Sequence, residues 1–432
     1  MGDAKSLFKS VLERIRPSKD EKKKINDTVS HIKSRLERHL PKGVRMLLAG
    51  SIAKGTFLHG EGDIDLFLLF PKTFDKEAMG KLVIDIVKKE FRNYEIAYAE
   101  HPYARIFVNG IKADIVPAYN ITHVAHMGSA VDRSKFHVNF VKKHLKSVDD
   151  VLLLKKMLKS FRIYGADMKS KGVSGYLAEL MAVKYGSMGK AMEAISKWGF
   201  GEVVEINERW KDKEKARQKF QGAPLIFIDP TDRNRNVASA LSAENFSRLV
   251  LLARAYAKRP DERLFFPKPG KAKYMPKLIG ITFKSPKIID ETKYGELGRL
   301  ASKAARHLES KGFEVILAQA YDNGKASACA IGVANELVGR NFIRHGPPLE
   351  MAEGVARFVT DKTFFREGRI VSMAQREATV AVEEARKACA SGALPKHFER
   401  RTMKISYLKK GSAAYKEIER GRALDELILS LQ

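Results

Sequence analysis

The strongest constraint on the fold comes from a glycine-serine pair that is followed by two closely spaced aspartates. Gly50-Ser51 ends the apolar stretch VRMLLAG, and Gly62-Asp63-Ile64-Asp65 opens another apolar stretch that runs to Phe70. Apolar runs of this length predict strands, and the segment SIAKGTFL between them predicts a turn and the start of a helix. This part of the chain therefore predicts a mixed α/β domain.

The spacing of the aspartates indicates a metal site. Side chains alternate across a strand, so Asp63 and Asp65 are expected on the same face. Two adjacent carboxylates repel each other unless a cation lies between them, and Mg²⁺ binds carboxylate oxygens together with substrate phosphates. Asp114, on the second strand of a hairpin predicted around Asn109-Gly110, is a candidate third carboxylate. A lone Asp-x-Asp is usually a solvated strand edge, so the prediction depends on the whole combination.

Gly50 and Ser51 form a candidate phosphate-cradling turn. They lie between a predicted strand and the start of a helix. Backbone N–H groups at such a position point at an anion, and the helix dipole adds to the attraction.

The rest of the chain predicts further helical and α/β parts. Residues 1–40 predict two helices broken at Pro17, and residues 132–210 follow a helical period. Arg259–Lys277 is rich in Pro, Gly and Lys and predicts a linker. The β-α-β-hairpin-β order after it resembles the small RNA-recognition type of α/β sandwich, without its aromatic signature. We therefore expect an α+β multidomain chain divided into residues 1–140, 141–258 and 259–432.

The charge balance favours a polyanionic partner. Lys and Arg total 79 and Asp and Glu total 51, which leaves a formal net charge of +28 and a pI near 9.8. Nucleic acid is the first expectation, because each neutralised phosphate releases counterions. A surface rich in Lys and Glu is the alternative, but such surfaces usually balance both signs.

Several classes of protein are disfavoured by the sequence. The longest apolar stretches have the length of one strand, which argues against a membrane span, and the charged start lacks the apolar core of a signal peptide. Cys329 and Cys389 are outside any Cys-x-x-Cys or Cys/His cluster, so neither a disulfide framework nor a structural zinc site is expected. A reducing cytoplasm is the simplest location.

The glycine-serine and carboxylate arrangement resembles the nucleotidyltransferase superfamily typified by DNA polymerase β. Five further segments, in order along the chain, are similar to the motif blocks of the archaeal (class I) CCA-adding enzymes, which are tRNA nucleotidyltransferases. These segments are YAEHPYARIFVNGIKADIVPAY, SAVDRSKFH, LLKKMLKSFRIYGAD, KGVSGYLAEL and IDPTDRNRNVA. The resemblance covers about residues 45–245 and continues more weakly to the C-terminus. It implies a polymerase β-like catalytic head, a helical neck that completes the nucleotide pocket, and a tRNA-binding body and tail.

The resemblance also implies roles for individual residues. The catalytic and metal-binding carboxylates are Asp63, Asp65 and Asp114. The residues that bind ATP or CTP are Ser51, Lys54, His137, Lys155, Tyr164 and Arg235, of which Arg235 helps to read the base. Lys54 departs from the family, where Arg is frequent, and it lacks the bidentate phosphate geometry of Arg. Lys155 and Tyr164 are nine positions apart, so both reach one nucleotide only if their helix ends before Gly165.

The implied activity is template-independent addition and repair of the 3′-terminal CCA of tRNA. The RNA 3′-hydroxyl attacks the α-phosphorus of CTP or ATP and pyrophosphate leaves, with two Mg²⁺ ions held by the carboxylates. The implied partners are the tRNA acceptor arm and a second copy of the chain in a homodimer, without a membrane.

Three other functions are compatible with parts of the pattern. A poly(A) polymerase or oligoadenylate synthetase shares the carboxylate arrangement. A non-catalytic RNA-binding protein could retain the fold, although an intact carboxylate trio argues against it. A basic protein that binds nucleic acid nonspecifically would show steep salt dependence without turnover.

Overall fold

The computed structural model describes residues 2–98, 102–207, 210, 212–375, 378–390 and 394–432. The part of the YAEHPY segment from Ala99 to His101 lies outside the described residues. The α-helices are α1 (Gly2–Ile15), α2 (Lys19–Glu37), α3 (Gly50–Lys54), α4 (Lys76–Glu90), α5 (Ser134–His144), α6 (Val148–Ser160), α7 (Gly175–Tyr185), α8 (Met188–Ile195), α9 (Lys213–Lys219), α10 (Ala243–Lys258), α11 (Asp290–Ser310), α12 (Ala352–Phe358), α13 (Ala381–Ala390) and α14 (Ala413–Ser430). The strands are β1 (Arg45–Ala49), β2 (Ile64–Phe70), β3 (Tyr94–Tyr98), β4 (Pro102–Val108), β5 (Ile111–Tyr119), β6 (Glu202–Val204), β7 (Leu225–Phe227), β8 (Lys277–Lys284), β9 (Val315–Asp322), β10 (Ala326–Val333), β11 (Leu337–Val338), β12 (Asn341–His345), β13 (Thr363–Arg366), β14 (Arg369–Gln375), β15 (Thr379–Val380) and β16 (Lys404–Tyr407).

The chain divides into two compact units. One contains residues 1–270 together with 424–432, and the other contains residues 271–423. Helices and sheets are mixed within the chain, which confirms the predicted α+β multidomain class. The predicted three-part division at 140/141 and 258/259 stays a prediction. In the described part of the chain, every helix is too short or too polar to cross a bilayer.

The first unit begins with two helices and a five-stranded sheet of order β1-β2-β5-β4-β3. The predicted break at Pro17 is confirmed, since α1 ends at Ile15 and the Ser18 hydroxyl caps α2 by accepting from the Glu21 N–H at 3.0 Å. The predicted hairpin is also confirmed, because Val108 pairs with Ile111 across Asn109-Gly110. Both turn residues have positive φ, as a two-residue turn between twisted strands requires.

The rest of the first unit is mostly helical. Helices α6, α7, α8 and α10 contribute to a single large core, and the Ser242 hydroxyl caps α10 by accepting from the Asn245 N–H. Strand β7 pairs with β6 in parallel. The prediction of a linker over Arg259–Lys277 is wrong for the first half of that segment. Leu264 and Phe265 are fully buried in the same core. Burying apolar side chains is more favourable than leaving them exposed in a linker.

The second unit contains a four-stranded antiparallel sheet of order β16-β8-β10-β9, with α11 and α13 packed on its core. The predicted β-α-β-hairpin order over β8, α11, β9 and β10 is confirmed, and α13 and β16 complete a β-α-β-β-α-β arrangement. Between β10 and α13 the chain forms smaller sheets, β12-β14-β13 and β11-β15.

Candidate active site

Asp65 and Asp114 occupy paired positions on parallel strands. Asp65 is the second residue of β2, and its register partner on β5 is Asp114. Asp63 lies one residue before β2, close enough for its charge to act on Asp65. Burial is the main cause that raises the pKa of Asp65 to about 6, and the neighbouring charges of Asp114 and Asp63 contribute to the same rise. The three predicted carboxylates are therefore one electrostatic group.

Gly50 allows β1 to approach these carboxylates closely. Strand β2 has β5 on one side and β1 on the other. On the β1 side, Asp65 pairs with Ala49, the last residue of β1, and the next residue, Gly50, begins α3. Gly50 has a φ of +63°, and a Cβ at this position would lie 1.8 Å from Oδ2 of Asp65. Glycine is thus required here both by the backbone conformation and by the carboxylate beside it.

Two of the carboxylates have basic partners. Arg105 on β4 binds Asp114 with two hydrogen bonds, from Nε at 2.7 Å and from Nη2 at 2.9 Å. Lys112 pairs with Asp63 at 2.5 Å. Across the described residues, no set of three or more His, Cys, Asp or Glu side chains is gathered closely enough to form a ready metal cluster. The chain therefore brings the carboxylates side by side, with cationic side chains balancing two of them.

A buried ionic network lies next to the phosphate-cradling turn. Glu179 on α7 is almost fully buried and pairs with Nζ of Lys54 at 2.5 Å. Its other oxygen accepts from the Thr56 hydroxyl at 2.5 Å and lies 3.7 Å from Nζ of Lys155. Lys155 also donates to the Thr56 carbonyl at 2.7 Å, and burial lowers the pKa of its ammonium to about 8. Two predicted nucleotide-binding lysines thus share one carboxylate.

Tyr164 and Lys155 both lie next to Gly175. As predicted, α6 ends at Ser160, before Gly165, and Tyr164 forms an isolated bridge with Val173. A Cβ added to Gly175 would lie 2.8 Å from the Tyr164 hydroxyl and 3.8 Å from Nζ of Lys155. The end of α6 therefore lets both residues approach the same point, which an uninterrupted helix would prevent.

His137 and Arg235 meet at a second buried carboxylate. Asp229, just after β7, accepts from Nε2 of His137 at 3.0 Å and from Nη1 of Arg235 at 2.9 Å. The His137 ring stacks on Tyr176 with centroids 3.9 Å apart, and the Tyr176 hydroxyl donates to Asp229 at 3.2 Å. Burial lowers the pKa of His137 more than Asp229 raises it. At neutral pH the imidazole is therefore uncharged.

The predicted residues thus form neighbouring groups within the first unit. Lys54 connects them, because its Nζ pairs with Glu179 and lies 5.9 Å from the centroid of the Tyr176 ring. Ser51 is in the first turn of α3, beside Gly50.

The residues that sequence reasoning missed are Glu179, Tyr176, Asp229, Thr56, Arg105 and Lys112. One signal was available for Glu179, a single acidic residue within the apolar helix pattern LAELMAV.

Three family models match successive parts of the chain. Residues 29–147 match the nucleotidyltransferase domain, residues 149–266 match the second domain of tRNA nucleotidyltransferase, and residues 276–407 match the C-terminal domain of the CCA-adding enzyme. The first of these matches confirms the predicted nucleotidyltransferase head.

Curated relatives and a solved structure are similar over large parts of their length. The CCA-adding enzyme of Pyrococcus abyssi is 35% identical over 72% of this chain and 74% of its own. The CCA-adding enzyme of Sulfurisphaera tokodaii is 32% identical over 79% and 81%. Among solved structures, the Cid1 poly(U) polymerase with MgGTP aligns with a TM-score of 0.49 at 16% identity, over 60% of this chain and 94% of that one.

Proposed function

This chain belongs to the family of CCA-adding enzymes, and we propose that its nucleotidyl transfer takes place at Asp63, Asp65 and Asp114. The reaction adds C, C and A to the 3′ end of tRNA from CTP and ATP, without a nucleic-acid template. The observation that carries the site assignment is the pairing of Asp65 with Asp114 on parallel strands beside Gly50.

A divalent metal ion fits this carboxylate site. The donors are all carboxylate oxygens, which hard cations prefer, and a cation would offset both the burial and the repulsion from Asp114 and Asp63 that raise the pKa of Asp65. Arg105 uses two of about four lone-pair positions on Asp114, which leaves room for a cation. We propose that Asp63, Asp65 and Asp114 hold Mg²⁺. When bound, it supplies positive charge to the phosphates and makes the attacking hydroxyl more acidic.

Residues of the chain itself accept the proton of the attacking hydroxyl and bind a phosphate. The 3′-oxygen forms a bond to the α-phosphorus, and the bond from that phosphorus to the pyrophosphate oxygen breaks. Asp114 is proposed to accept the hydroxyl proton, and the ion pair with Arg105, which gives its carboxylate a defined orientation, supports this role. Gly50 and Ser51 offer backbone N–H groups to a phosphate.

Charge balance supports a triphosphate beside Glu179. Lys54 and Lys155 both contact this one carboxylate, so one positive charge of the three-residue group is not compensated. A buried uncompensated charge is unfavourable, and a polyanion relieves it. Lys54, Lys155 and Tyr164 are therefore proposed to bind the triphosphate together with Ser51, while His137 and Arg235 contact the ribose and base.

The net charge of +28 supports tRNA as the polyanionic substrate. The second unit, with its RNA-recognition-like sheet, is proposed to bind the acceptor arm through shape and phosphates, as A-form RNA is usually bound. A homodimer and a cytoplasmic location are further proposals. The two buried free thiols, Cys329 and Cys389, suit a reducing compartment.

The deciding experiment measures incorporation of labelled CTP and ATP, with Mg²⁺, into tRNA that ends at the discriminator base. The proposal expects C, C and A in that order and then a stop, with no incorporation by Asp65→Asn. Long homopolymeric tails would instead indicate a poly(A)-type polymerase. Tight tRNA binding without incorporation by the unaltered protein would refute the catalytic assignment.

A further inference from the structure

Asp229 is a fully buried carboxylate that joins two functional side chains from separate parts of the first unit. It receives hydrogen bonds from His137 on α5, from Tyr176 on α7, and from Thr231 and Arg235 in its own turn. The turn is closed by the Asp229 N–H, which donates to the Arg235 carbonyl at 3.1 Å. A buried carboxylate is tolerated only when its oxygens accept hydrogen bonds, and both oxygens of Asp229 do so.

The two oxygens of Asp229 have different partners. Oδ1 accepts from the Thr231 N–H at 2.9 Å, the Thr231 hydroxyl at 2.7 Å and the Tyr176 hydroxyl. Oδ2 accepts from His137 and Arg235. The first set anchors the carboxylate to the backbone of its own turn, and the second set consists of the two residues that the proposed function places against the nucleotide.

The same contacts determine the state of the His137 ring. A carboxylate accepts hydrogen bonds and cannot donate them, so Nε2 carries the proton that points at Oδ2. Nη1 of Arg235, 3.4 Å from Nε2, therefore donates to Asp229 and not to the imidazole. Nδ1 of His137 has no hydrogen-bonding partner among the residues that the structure describes, and it is the nitrogen available to a ligand.

We propose that Asp229 is a positioning residue for nucleotide selection, which orients His137 and Arg235 together toward the incoming CTP or ATP. This inference rests on the proposed function of His137 and Arg235. It adds that neither residue is held independently, because one carboxylate oxygen fixes both the imidazole tautomer and the guanidinium.

The chemistry of an amide makes Asp229→Asn a sharp probe. Every group that contacts Asp229 donates a hydrogen bond to it. In the asparagine variant, the donors around one of the two oxygen positions must therefore face the amide N–H₂ group, which is itself a donor. The Thr231 backbone N–H cannot reverse its role, which keeps the amide oxygen at the Oδ1 position. The amide nitrogen then faces His137 and Arg235, removes the ion pair with Arg235 and forces the other tautomer on His137.

The experiment is a double-mutant cycle on incorporation of CTP and ATP by the full-length protein. Asp229→Asn is expected to lower kcat/KM by about 10- to 100-fold, by analogy with the loss seen when a group that orients a metal-binding histidine is removed. In an Arg235→Gln or His137→Gln background the same change should cost less than in the unaltered protein, because one of its two targets is already lost. Misincorporation of UTP and GTP relative to CTP should rise in both Asp229→Asn and Arg235→Gln.

Asp232→Asn is the matched control. It makes the same substitution three residues away in the same turn, where the side chain caps the Asn234 N–H and an amide oxygen can do the same. Wild-type kinetics are expected for this variant. An equal loss in Asp232→Asn would assign the effect to the turn and overturn the proposal.

Tyr176→Phe tests the proposal without removing the charge, should Asp229→Asn fail to fold. It removes one hydrogen bond to Oδ1 and keeps the aromatic ring against His137. A loss of about two- to fivefold in kcat/KM, with only a small fall in the melting temperature, is expected for one hydrogen bond. Unchanged kinetics in Tyr176→Phe, or additive losses in both cycles, would overturn the role of Asp229. By contrast, wild-type kinetics in the single variants Arg235→Gln and His137→Gln would contradict the proposed function itself.

Discussion

Asp65 and Asp114 are register partners on the parallel strands β2 and β5, although 48 other residues separate them in the sequence. Parallel strands point in the same direction, so a crossover must bring the chain back before β5 can pair with β2. Helix α4 and the strands β3 and β4 lie between them in the chain. The sheet topology therefore brings the third carboxylate to the first two.

Removing a carboxylate should abolish catalysis and leave tRNA binding nearly intact. Asp63→Ala or Asp65→Ala removes a proposed metal ligand, and loss of several kcal/mol of charge stabilisation corresponds to roughly a thousandfold lower rate. Incorporation of CTP and tRNA binding are measured side by side, with the exposed Asp85→Ala on α4 as the control. Near-normal turnover in either variant would remove the metal assignment.

Gly50→Ala should damage activity far more than Gly60→Ala. Both residues have positive φ, at +63° and +75°, so each substitution carries about 1–2 kcal/mol of backbone strain. Only at position 50 does the new Cβ meet Asp65, because nothing lies within 4 Å of a Cβ at position 60. Thermal unfolding should show the larger destabilisation for Gly50→Ala, because the contact with Asp65 adds to the backbone strain, and CTP incorporation should fall strongly in that variant alone. Equal activities would show that the close approach of Gly50 to Asp65 is unimportant.

Nucleotide binding should weaken as the pH rises through about 8. The buried ammonium of Lys155 has its pKa lowered to about 8, so it is charged below that pH and loses its attraction for the triphosphate above it. The KM for CTP is measured across this range in the unaltered protein and in Lys155→Arg, whose guanidinium stays charged. The arginine variant should show a flatter profile, whereas the exposed Lys142→Arg should behave as wild type.

The lowered pKa of Lys155 also predicts how the free energy of unfolding changes with pH. The unfolded Lys155 has an ordinary pKa of 10.5, so between about pH 8 and that value the unfolded chain binds more protons than the folded one. The free energy of unfolding contributed by this residue therefore rises with pH across that window. Denaturant unfolding of the unaltered protein and of Lys155→Met, compared at both ends of the window, measures it. A difference between the two proteins that does not change with pH would contradict the lowered pKa.

Binding of tRNA should depend steeply on salt. The chain carries a formal net charge of +28, and a protein that contacts about six to ten phosphates loses about 10³- to 10⁵-fold in affinity between roughly 50 and 200 mM salt. Filter binding or anisotropy with labelled tRNA across this range gives the slope. A shallow slope would indicate that phosphate contacts contribute little to recognition of the tRNA.

The local features of this protein could be predicted from the sequence because they depend on neighbouring residues. The Asn109-Gly110 hairpin, the helix break at Pro17 and the end of α6 before Gly165 all follow from local backbone preferences. The carboxylates were predicted from the strand spacing of Asp63 and Asp65 and from the hairpin strand that carries Asp114, and the other nucleotide-binding residues were predicted because their motif blocks resemble those of a known family.

The partners of those residues were decided by the tertiary structure alone. Lys54 is 125 positions from Glu179, and His137 is 92 positions from Asp229, so no local pattern connects them. A buried charge needs a partner, and the packing of α7 and of the turn after β7 determines which carboxylate supplies it. The sequence therefore predicted which groups carry the chemistry, whereas the fold decided which charges neutralise one another, because burial makes these distant pairings necessary.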